Sequence, residues 1–307
     1  MIGVQEGVQD CARADWGLAA RRAVQHHGPR WAFAHKGSQL VGDMTVRIRK
    51  PAVAGTLYPG RTDQLNATLD DCWTKRIAVD GPPPKAVIVP HAGYAYSGPV
   101  AASAYATLAQ LAGTVTRVVL LGPSHRYAMR GFALPESQLW QTPLGMVEVD
   151  LGSVERLAET PGFVKSDLAH EREHSLEVHV PFLQRSLGRV QVLPILVGDV
   201  GASAVAAVLD HLWGGPETLI VISTDLSHYH DQATAKGIDS QTVRFIESLN
   251  AAALTPERAC GASPVAGLLH TARQRNMRCT AVDVRTSADT AGDAARVVGY
   301  ASFLLWQ

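Results

Sequence analysis

Residues 86–98 read AVIVPHAGYAYSG, and this stretch decides the fold that the sequence predicts. The run Ala86–Val89 is apolar and short, which is typical of a buried strand rather than a helix. Pro90 has no amide proton to give to a sheet, so the strand should end there and leave His91 on the following loop. From Pro99 the sequence is rich in helix formers, and proline favours the first helical position. We therefore predict a strand, a histidine-bearing loop and a helix.

The same unit occurs twice more along the chain. Residues 117–125, RVVLLGPSH, and residues 218–228, TLIVISTDLSH, each join an apolar run to a polar loop with a histidine. In an open, mostly parallel sheet, the carboxyl ends of the strands lie along one edge, and ligands bind there. A single histidine is more often a surface or satisfied core residue than a functional one. Three in the same position of three units, His91, His125 and His228, favour a shared site.

The bulk composition limits the class of protein. The chain has 307 residues, 46% hydrophobic and 18% charged, which is enough for one large α/β domain or two small ones. Lysine plus arginine equals aspartate plus glutamate at 28 each, so charge gives no reason to expect nucleic acid or an acidic membrane as partner. No apolar run reaches the roughly 18 residues of a membrane helix. Four cysteines without a CxxC spacing favour free thiols in a reducing cytoplasm.

The first 43 residues differ from the rest of the chain. They lack a clear apolar period, the apolar core of a secretory signal and any motif, whereas Met44 opens a segment that could be the natural start. We predict that residues 1–43 are a disordered, dispensable extension and that residues 44–307 form a single domain. A regulatory tail is the alternative.

A polar segment at residues 167–181 carries residues suited to catalysis. On a helix, His170 and His174 would share one face, and so would Glu173 and Glu177. The spacing of its histidines does not match the HExxH motif of zinc proteases. A solvated helix and the wall of an active site both remain consistent with this pattern.

Cys260 lies just before a predicted helix in which Ser263 would be the N-cap and Pro264 the first residue. The partial positive charge at a helix N-terminus lowers the pKa of a thiol. Cys260 could therefore be a metal ligand or a nucleophile, although a small buried residue is an equally good interpretation of this position taken alone.

Six motifs follow one another along the chain: AVAGTLYP at 52–59, PHAGY at 90–94, LGPSH at 121–125, EHSLEVHVPF at 173–182, STDLSH at 223–228 and CG at 260–261. Together they resemble the Memo family, whose bacterial and archaeal members are called AmmeMemoRadiSam system protein B. The resemblance covers essentially everything from Met44 onward. It implies a three-layer α/β fold like that of class III extradiol dioxygenases, with a mostly parallel or mixed sheet and helices on both faces.

The resemblance also implies one pocket, formed by His91, His125, Asp225, His228 and Cys260, with reduced iron or copper at His91, His125 and Cys260. Imidazole suits iron, copper and zinc, and a thiolate adds a preference for Cu(I), zinc or iron. We therefore expect Fe(II) or Cu(I), with zinc as a further candidate. A small molecule or a peptide would occupy the pocket, and we expect a functional link to a radical SAM protein and an AMMECR-type protein.

Within this pocket, His228 would be a fourth ligand or a general acid or base, with Asp225 orienting it. His174 and Glu177 are further catalytic candidates. Extradiol ring cleavage requires Fe(II) held by two histidines and a carboxylate, and here the third ligand would be Cys260. Three functions remain: a metal-dependent redox or metal-handling protein, a zinc-type hydrolase with a metal-bound water, and a non-catalytic module that binds a peptide or partner.

Overall fold

A mixed β-sheet flanked by helices forms the centre of the structure, a computed structural model that describes residues 46–307. The predicted extension at residues 1–43 lies outside this range. The strands of the described residues are, in chain order, β1 (Ile48–Arg49), β2 (Ala86–Val89), β3 (Arg117–Pro123), β4 (Phe132–Leu134), β5 (Leu139–Thr142), β6 (Gly145–Val149), β7 (Phe163–Lys165), β8 (Gln191–Val197), β9 (Thr218–Ser223), β10 (His228–His230), β11 (Arg278–Thr286) and β12 (Val297–Trp306).

The helices separate these strands along most of the chain. They are α1 (Thr62–Lys75), α2 (Tyr94–Tyr105), α3 (Leu151–Ala158), α4 (Asp167–Glu171), α5 (Val180–Leu187), α6 (Ala202–Leu212), α7 (Gln232–Glu247) and α8 (Ala262–Gln274). Short 3-10 turns occupy Ala106–Leu111, Glu177–His179, Ala251–Ala253 and Ser287–Asp289. Within residues 46–307, none of the helices combines the length and the apolar character needed to cross a membrane.

The sheet is parallel in its middle and contains both parallel and antiparallel pairs towards its ends. The main order is β1-β5-β6-β8-β3-β9-β2-β12-β10, with β11 paired to β12 and β4 paired to β7 and β8. Strands β6, β8, β3, β9 and β2 run parallel to one another, whereas β12 is antiparallel to β2. Every residue of β2 and β9 is buried, as expected for parallel strands covered on both faces.

Helices cover both faces of this sheet because the crossovers run in opposite directions. The chain passes from β2 over β9 to β3 through α2, and from β8 over β3 to β9 through α6. Since such crossovers are right-handed, the two helices lie on opposite faces. Helix α2 packs on β2 and β12, and α6 packs on α8, which itself covers β3 and β9. The predicted α/β class with a mixed sheet and two helical layers is confirmed.

The parallel strands bring three loops to one edge of the sheet. Strands β2, β3 and β9 lie in the order β3-β9-β2, and their carboxyl ends are Val89, Pro123 and Ser223. The loops that carry His91 and His125 therefore begin at the same edge, on either side of the loop after β9, as the sequence predicts.

One predicted boundary is wrong, because the helix after the His91 loop begins at Tyr94 and contains Pro99 in its interior. The amide of Tyr94 donates to the carbonyl oxygen of Leu57 at 2.8 Å, and its hydroxyl donates to the carbonyl oxygen of Val178 at 2.7 Å. These two contacts fix the early start. Gly98 also lies in the helix, where a Cβ atom would come within 2.5 Å of the sulfur of Cys72. Its small size thus serves the contact between α1 and α2.

Candidate metal centre

Three histidines converge at the edge of the sheet where the parallel strands end. His91 follows β2, His125 follows β3, and His174 lies in the turn after α4. One ring nitrogen from each lies within 4.8 Å of the other two. The ring centroids are 5.1 Å apart for His91 and His125, 5.5 Å for His91 and His174, and 4.9 Å for His125 and His174. This group could hold a metal ion.

Ser223 sets the protonation of the His91 ring. The Ser223 hydroxyl donates its one proton to the carbonyl oxygen of Ser175 at 2.7 Å. Nδ1 of His91 lies 2.6 Å from the same hydroxyl oxygen, which can only accept there. Nδ1 of neutral His91 must therefore carry the proton, and Nε2 presents its lone pair towards the other side of the ring.

Glu173 determines which ring nitrogen carries the proton in the other two histidines, His125 and His174. Its Oε1 atom lies 3.0 Å from Nδ1 of His125 and 3.3 Å from Nδ1 of His174. An ionised carboxylate only accepts hydrogen bonds, so both Nδ1 atoms donate to it and each Nε2 is the nitrogen suited to a metal. The backbone amides of His125, His174 and Ser175 also donate to this carboxylate.

The pKa of Glu173 reflects this environment. Burial raises the pKa of its carboxyl group, but the charge and hydrogen bond of His125, together with those of His174, outweigh burial and hold it well below its usual range. Glu173 is therefore a buried anion directly behind two candidate ligands, and it favours positive charge on their other side.

Cys260 adds a sulfur to the group. Its Sγ atom lies 3.3 Å from Nε2 of His91, and its side chain also hydrogen-bonds His125. The backbone amide of Asp225 donates to the same sulfur at 3.3 Å. Two of the three imidazoles therefore meet a half-buried cysteine. Since imidazole and thiolate both bind iron, copper and zinc, the donor set fits such an ion.

The helix after Cys260 begins two residues earlier than predicted. Helix α8 starts at Ala262, and its N-cap is Gly261 rather than Ser263. The hydroxyl of Ser263 donates instead to the carbonyl oxygen of Val200. A Cβ atom on Gly261 would lie 2.5 Å from the carbonyl oxygen of Ser223. Glycine therefore lets the Cys260 turn approach the end of β9, which places the sulfur beside His91.

The pKa values of His91 and His125 are raised, whereas burial lowers the pKa of His174. Burial lowers the pKa of His125, but Glu173 and Cys260 outweigh burial and raise it to about 10. Burial also lowers the pKa of His91, whereas the charges of Cys260 and Asp225 raise it above its ordinary value overall. Groups that stabilise an imidazolium also stabilise a metal ion at the same place, after the proton has left.

Asp225 is bound to His91 rather than to His228. Its Oδ1 atom accepts the backbone amide of His91 at 2.8 Å, and its Oδ2 atom lies 3.9 Å from Nε2 of that histidine. Its carbonyl oxygen accepts the amide of Cys260 at 3.3 Å. His228 opens β10 and contacts the ring of Tyr229 at 5.7 Å. The catalytic roles predicted for Asp225 and His228 stay predictions.

The polar segment at residues 167–181 is neither a single helix nor solvated. Helix α4 ends at Glu171, so His170 and His174 do not share a face. The His170 ring instead contacts Trp140 and approaches the carbonyl oxygen of Ala133. Both histidines are buried, with 1% and 5% exposure. The segment thus contributes His174 to the centre and His170 to the core.

Glu177, the further catalytic candidate, lies in a separate buried cluster. Its carboxylate pairs with Arg49 at 2.7 Å and accepts the hydroxyl of Tyr58 at 2.7 Å. It also accepts the backbone amides of Ala52 and Val53. Four donors leave this carboxylate fully engaged, and it anchors the segment before α1 to the turn that carries His174.

Sequence reasoning gave no orienting role to the two residues that hold the rings, Glu173 and Ser223. Glu173 directly precedes His174 and could have been recognised as a carboxylate beside a candidate ligand. Ser223 is the last residue of β9, and its contact with Nδ1 of His91 depends on the pairing of β2 with β9. No local sequence signal reveals that contact.

Sequence comparison identifies the family of this chain. A family model described as Memo-like protein matches residues 49–304. The chain belongs to the Memo-like protein family. The resemblance inferred from the motifs is therefore confirmed, and the centre is a feature of a Memo-like chain.

Related Memo-like chains come from bacteria and archaea. A MEMO1 family protein of Thermotoga maritima is 38% identical over 283 residues, covering 84% of this chain and 99% of the relative. One from Aquifex aeolicus is 35% identical, with coverages of 83% and 98%. One from Methanothermobacter thermautotrophicus is 32% identical, with coverages of 83% and 99%. Among solved structures, an uncharacterized protein of Escherichia coli K12 aligns with a TM-score of 0.47 and 12% identity, covering 71% of this Memo-like chain and 98% of its own.

Proposed function

We propose that this Memo-like protein binds one Fe(II) or Cu(I) ion at His91, His125 and Cys260, with His174 as a further ligand, and acts as a metal-dependent redox or metal-handling protein. The observation that carries the proposal is the shared orientation of the imidazoles. Each Nδ1 atom faces a protein acceptor, Ser223 or Glu173, which is how proteins commonly fix metal-binding histidines. A bound ion would supply electrophilic or redox chemistry, while Glu173 and Ser223 hold the rings in place.

The sulfur of Cys260 supports iron or copper as the bound metal. Thiolate ligands select Cu(I), zinc and iron, and the Sγ atom of Cys260 lies beside Nε2 of His91. Three histidines with an open position are also a catalytic zinc set. The convergence of His91, His125 and His174 therefore supports a zinc-type hydrolase as the second candidate function.

Extradiol cleavage of simple catechols should be slow or absent. That chemistry needs two histidines and one carboxylate on Fe(II). The two carboxylates that contact the histidines, Glu173 and Asp225, accept hydrogen bonds from Nδ1 atoms and backbone amides. Efficient ring opening by the iron-loaded protein would contradict this ligand assignment and would require one of these carboxylates to rotate onto the metal.

The pocket has an occupant in this proposal. A small molecule or a peptide would complete the open positions around the ion. If the protein is instead a non-catalytic binding module, its partner would still bind after the histidines are replaced, and this result distinguishes it from a metal-dependent protein. A functional link to a radical SAM protein and an AMMECR-type protein rests on the family resemblance.

The ligand set is tested by loading variants with Fe(II), Cu(I) or Zn(II) in the absence of oxygen and measuring bound metal per chain. His91→Ala, His125→Ala and Cys260→Ser should each abolish stoichiometric Fe(II) or Cu(I) binding. The matched control is His211→Ala, because His211 is exposed on α6. If His174→Ala abolishes binding while Cys260→Ser leaves it intact with a preference for zinc, the redox proposal is wrong and the hydrolase candidate gains support.

A further inference from the structure

We infer that Asp239 of α7 is a positioning residue for the metal centre, and that Gly299 of β12, which has no side chain, leaves the space that the Asp239 carboxylate occupies. Asp239 fixes the loop Asp225–His228, which in turn holds His91 and Cys260. The inference rests on the proposed function, because the loop matters for chemistry only if the centre binds an ion.

Two elements of the fold clamp this loop by hydrogen bonds. The amide of Leu226 donates to the carbonyl oxygen of Gly299 at 2.8 Å, and the amide of Gly299 donates to the carbonyl oxygen of Ser227 at 2.8 Å. These bonds tie the loop to β12. The amide of Ser227 also donates to Oδ1 of Asp239 at 3.0 Å. Strand β12 thus holds Leu226 and Ser227, and helix α7 holds Ser227 through Asp239.

The clamped loop leads directly to the candidate ligands. Asp225 immediately precedes Leu226, and its carboxylate accepts the amide of His91 at 2.8 Å. Its own amide donates to the sulfur of Cys260, and its carbonyl oxygen accepts the amide of that cysteine. A displacement of the loop would therefore move a nitrogen ligand and the sulfur ligand relative to each other.

Gly299 makes room for the carboxylate. A Cβ atom at this position would lie 1.8 Å from Oδ2 of Asp239 and 2.6 Å from its Cγ atom. Asp239 is 2% exposed, and burying a carboxyl group costs free energy that an apolar side chain would not. Burial also raises the pKa of Asp239. A polar residue kept at such a cost, with glycine opposite it, indicates a role beyond packing.

The far end of the loop is also held in an unusual conformation. Tyr229 has a φ of 65°, which is uncommon for a residue other than glycine. It lies where the register between β10 and β12 shifts, between His228 and His230. The guanidinium of Arg296 stacks on its ring at 4.3 Å. Backbone strain of this kind persists only where surrounding contacts impose it, and it concentrates at functional sites.

Co(II) is a suitable probe, because thiolate-bound Co(II) has a charge-transfer absorption that reports on the Cys260 sulfur. Asp239→Ala should lower Co(II) affinity by about 10-fold, as outer contacts of metal ligands commonly do, and should shift or weaken that absorption. Asp239→Asn keeps an oxygen acceptor for the Ser227 amide, so its Co(II) spectrum should match that of the wild type. The control is Asp283→Asn, because Asp283 is equally buried and bonds Ser103 and Arg285 instead.

A double-mutant cycle makes the test specific. Gly299→Ala alone should weaken Co(II) binding as much as Asp239→Ala, because the new methyl group displaces the carboxylate. The Asp239→Ala/Gly299→Ala double variant should bind Co(II) no more weakly than either single variant. Without the Asp239 carboxylate, the new methyl group at position 299 has nothing to clash with. If Asp239→Ala fails to fold, the comparison of Gly299→Ala with Asp239→Asn still decides the outcome.

The possible failures are distinguishable. If wild-type protein binds no Co(II), Fe(II) or Cu(I), the proposed function is wrong and the inference falls with it. If wild-type protein binds Co(II) but Asp239→Ala and Gly299→Ala leave affinity and spectrum unchanged, the inference alone is overturned. A lowered melting temperature with an unchanged Co(II) spectrum would likewise overturn it, because the role of Asp239 would then be structural.

Discussion

The Oε1 atom of Glu173 lies 3.0 Å from Nδ1 of His125, in a place where Glu173 is only 2% exposed. The contact fixes the ring so that its other nitrogen faces His91 and Cys260. Because an acceptor behind a histidine ligand orients it and increases its basicity, this pair links the fold to the proposed chemistry.

Replacing Glu173 by glutamine should weaken Fe(II) or Cu(I) binding by about 10- to 100-fold. Glutamine has a similar shape but lacks the charge that favours a cation, and it accepts from the imidazoles less strongly. Competition titration against a chelator would measure the change. The matched control is Glu155→Gln, because Glu155 is exposed and pairs with Lys165. An unchanged dissociation constant for the Glu173 variant would contradict the orienting role.

Ser223→Ala should destabilise the fold by about 1–3 kcal/mol, because it leaves buried polar groups without a partner. The lost hydroxyl serves His91, His179 and the carbonyl oxygen of Ser175. Urea denaturation of the metal-free protein would measure the loss. Ser186→Ala is the control, since the Ser186 hydroxyl is buried without a hydrogen-bond partner among residues 46–307. Equal stabilities of the two variants would refute the account of Ser223.

Among the cysteines within residues 46–307, Cys260 should be the first to react in metal-free protein at neutral pH. Burial raises the pKa of Cys72 to about 12 and raises that of Cys279 well above its ordinary value, so both stay protonated and shielded. Cys260 is half-buried and lies beside two histidines. Labelling with iodoacetamide followed by peptide mass spectrometry would rank the thiols, and Cys260→Ser should remove the fastest phase. Earlier labelling of Cys72 or Cys279 would contradict the assignment.

His170 should make the fold sensitive to acid. Burial, with a further contribution from Arg49, lowers its pKa from 6.5 to about 3. The folded state therefore excludes a proton that the unfolded chain binds below pH 6.5. Its contribution to stability is complete above pH 6.5 and is lost as pH falls towards 3. One proton corresponds to a slope of about 1.4 kcal/mol per pH unit.

Replacing His170 by glutamine should therefore reduce the pH dependence of the unfolding free energy between pH 6 and 4 by about that slope. Urea denaturation of metal-free protein at several pH values would measure it. His211→Gln, at an exposed position, should leave the slope unchanged. If the His170 variant keeps the wild-type slope, the ring is protonated in the folded state and the prediction is wrong.

The sheet and the edge that carries the site could be predicted because their signals are local. The apolar runs before His91 and His125 are buried parallel strands, and parallel strands end at one edge. The start of α2 could not be predicted, since it depends on the contacts of Tyr94 with Leu57 and Val178, which are distant in sequence.

The composition of the centre was only partly predictable for the same reason. His174 could be singled out, but the helical pattern paired it with His170, and only the break after Glu171 separates the two. The approach of Cys260 to His91 depends on Gly261 fitting against the end of β9. Such contacts between distant segments leave no periodic pattern in the sequence.

The most direct test of the central claim is the metal content of wild-type protein and of the His91→Ala/His125→Ala double variant, both purified without oxygen and loaded with Fe(II) or Cu(I). We predict about one ion per chain for the wild type, since the donor set forms a single site, and no stoichiometric binding for the double variant. The His211→Ala protein should match the wild type. Retention of a full equivalent of metal by the double variant would contradict the account.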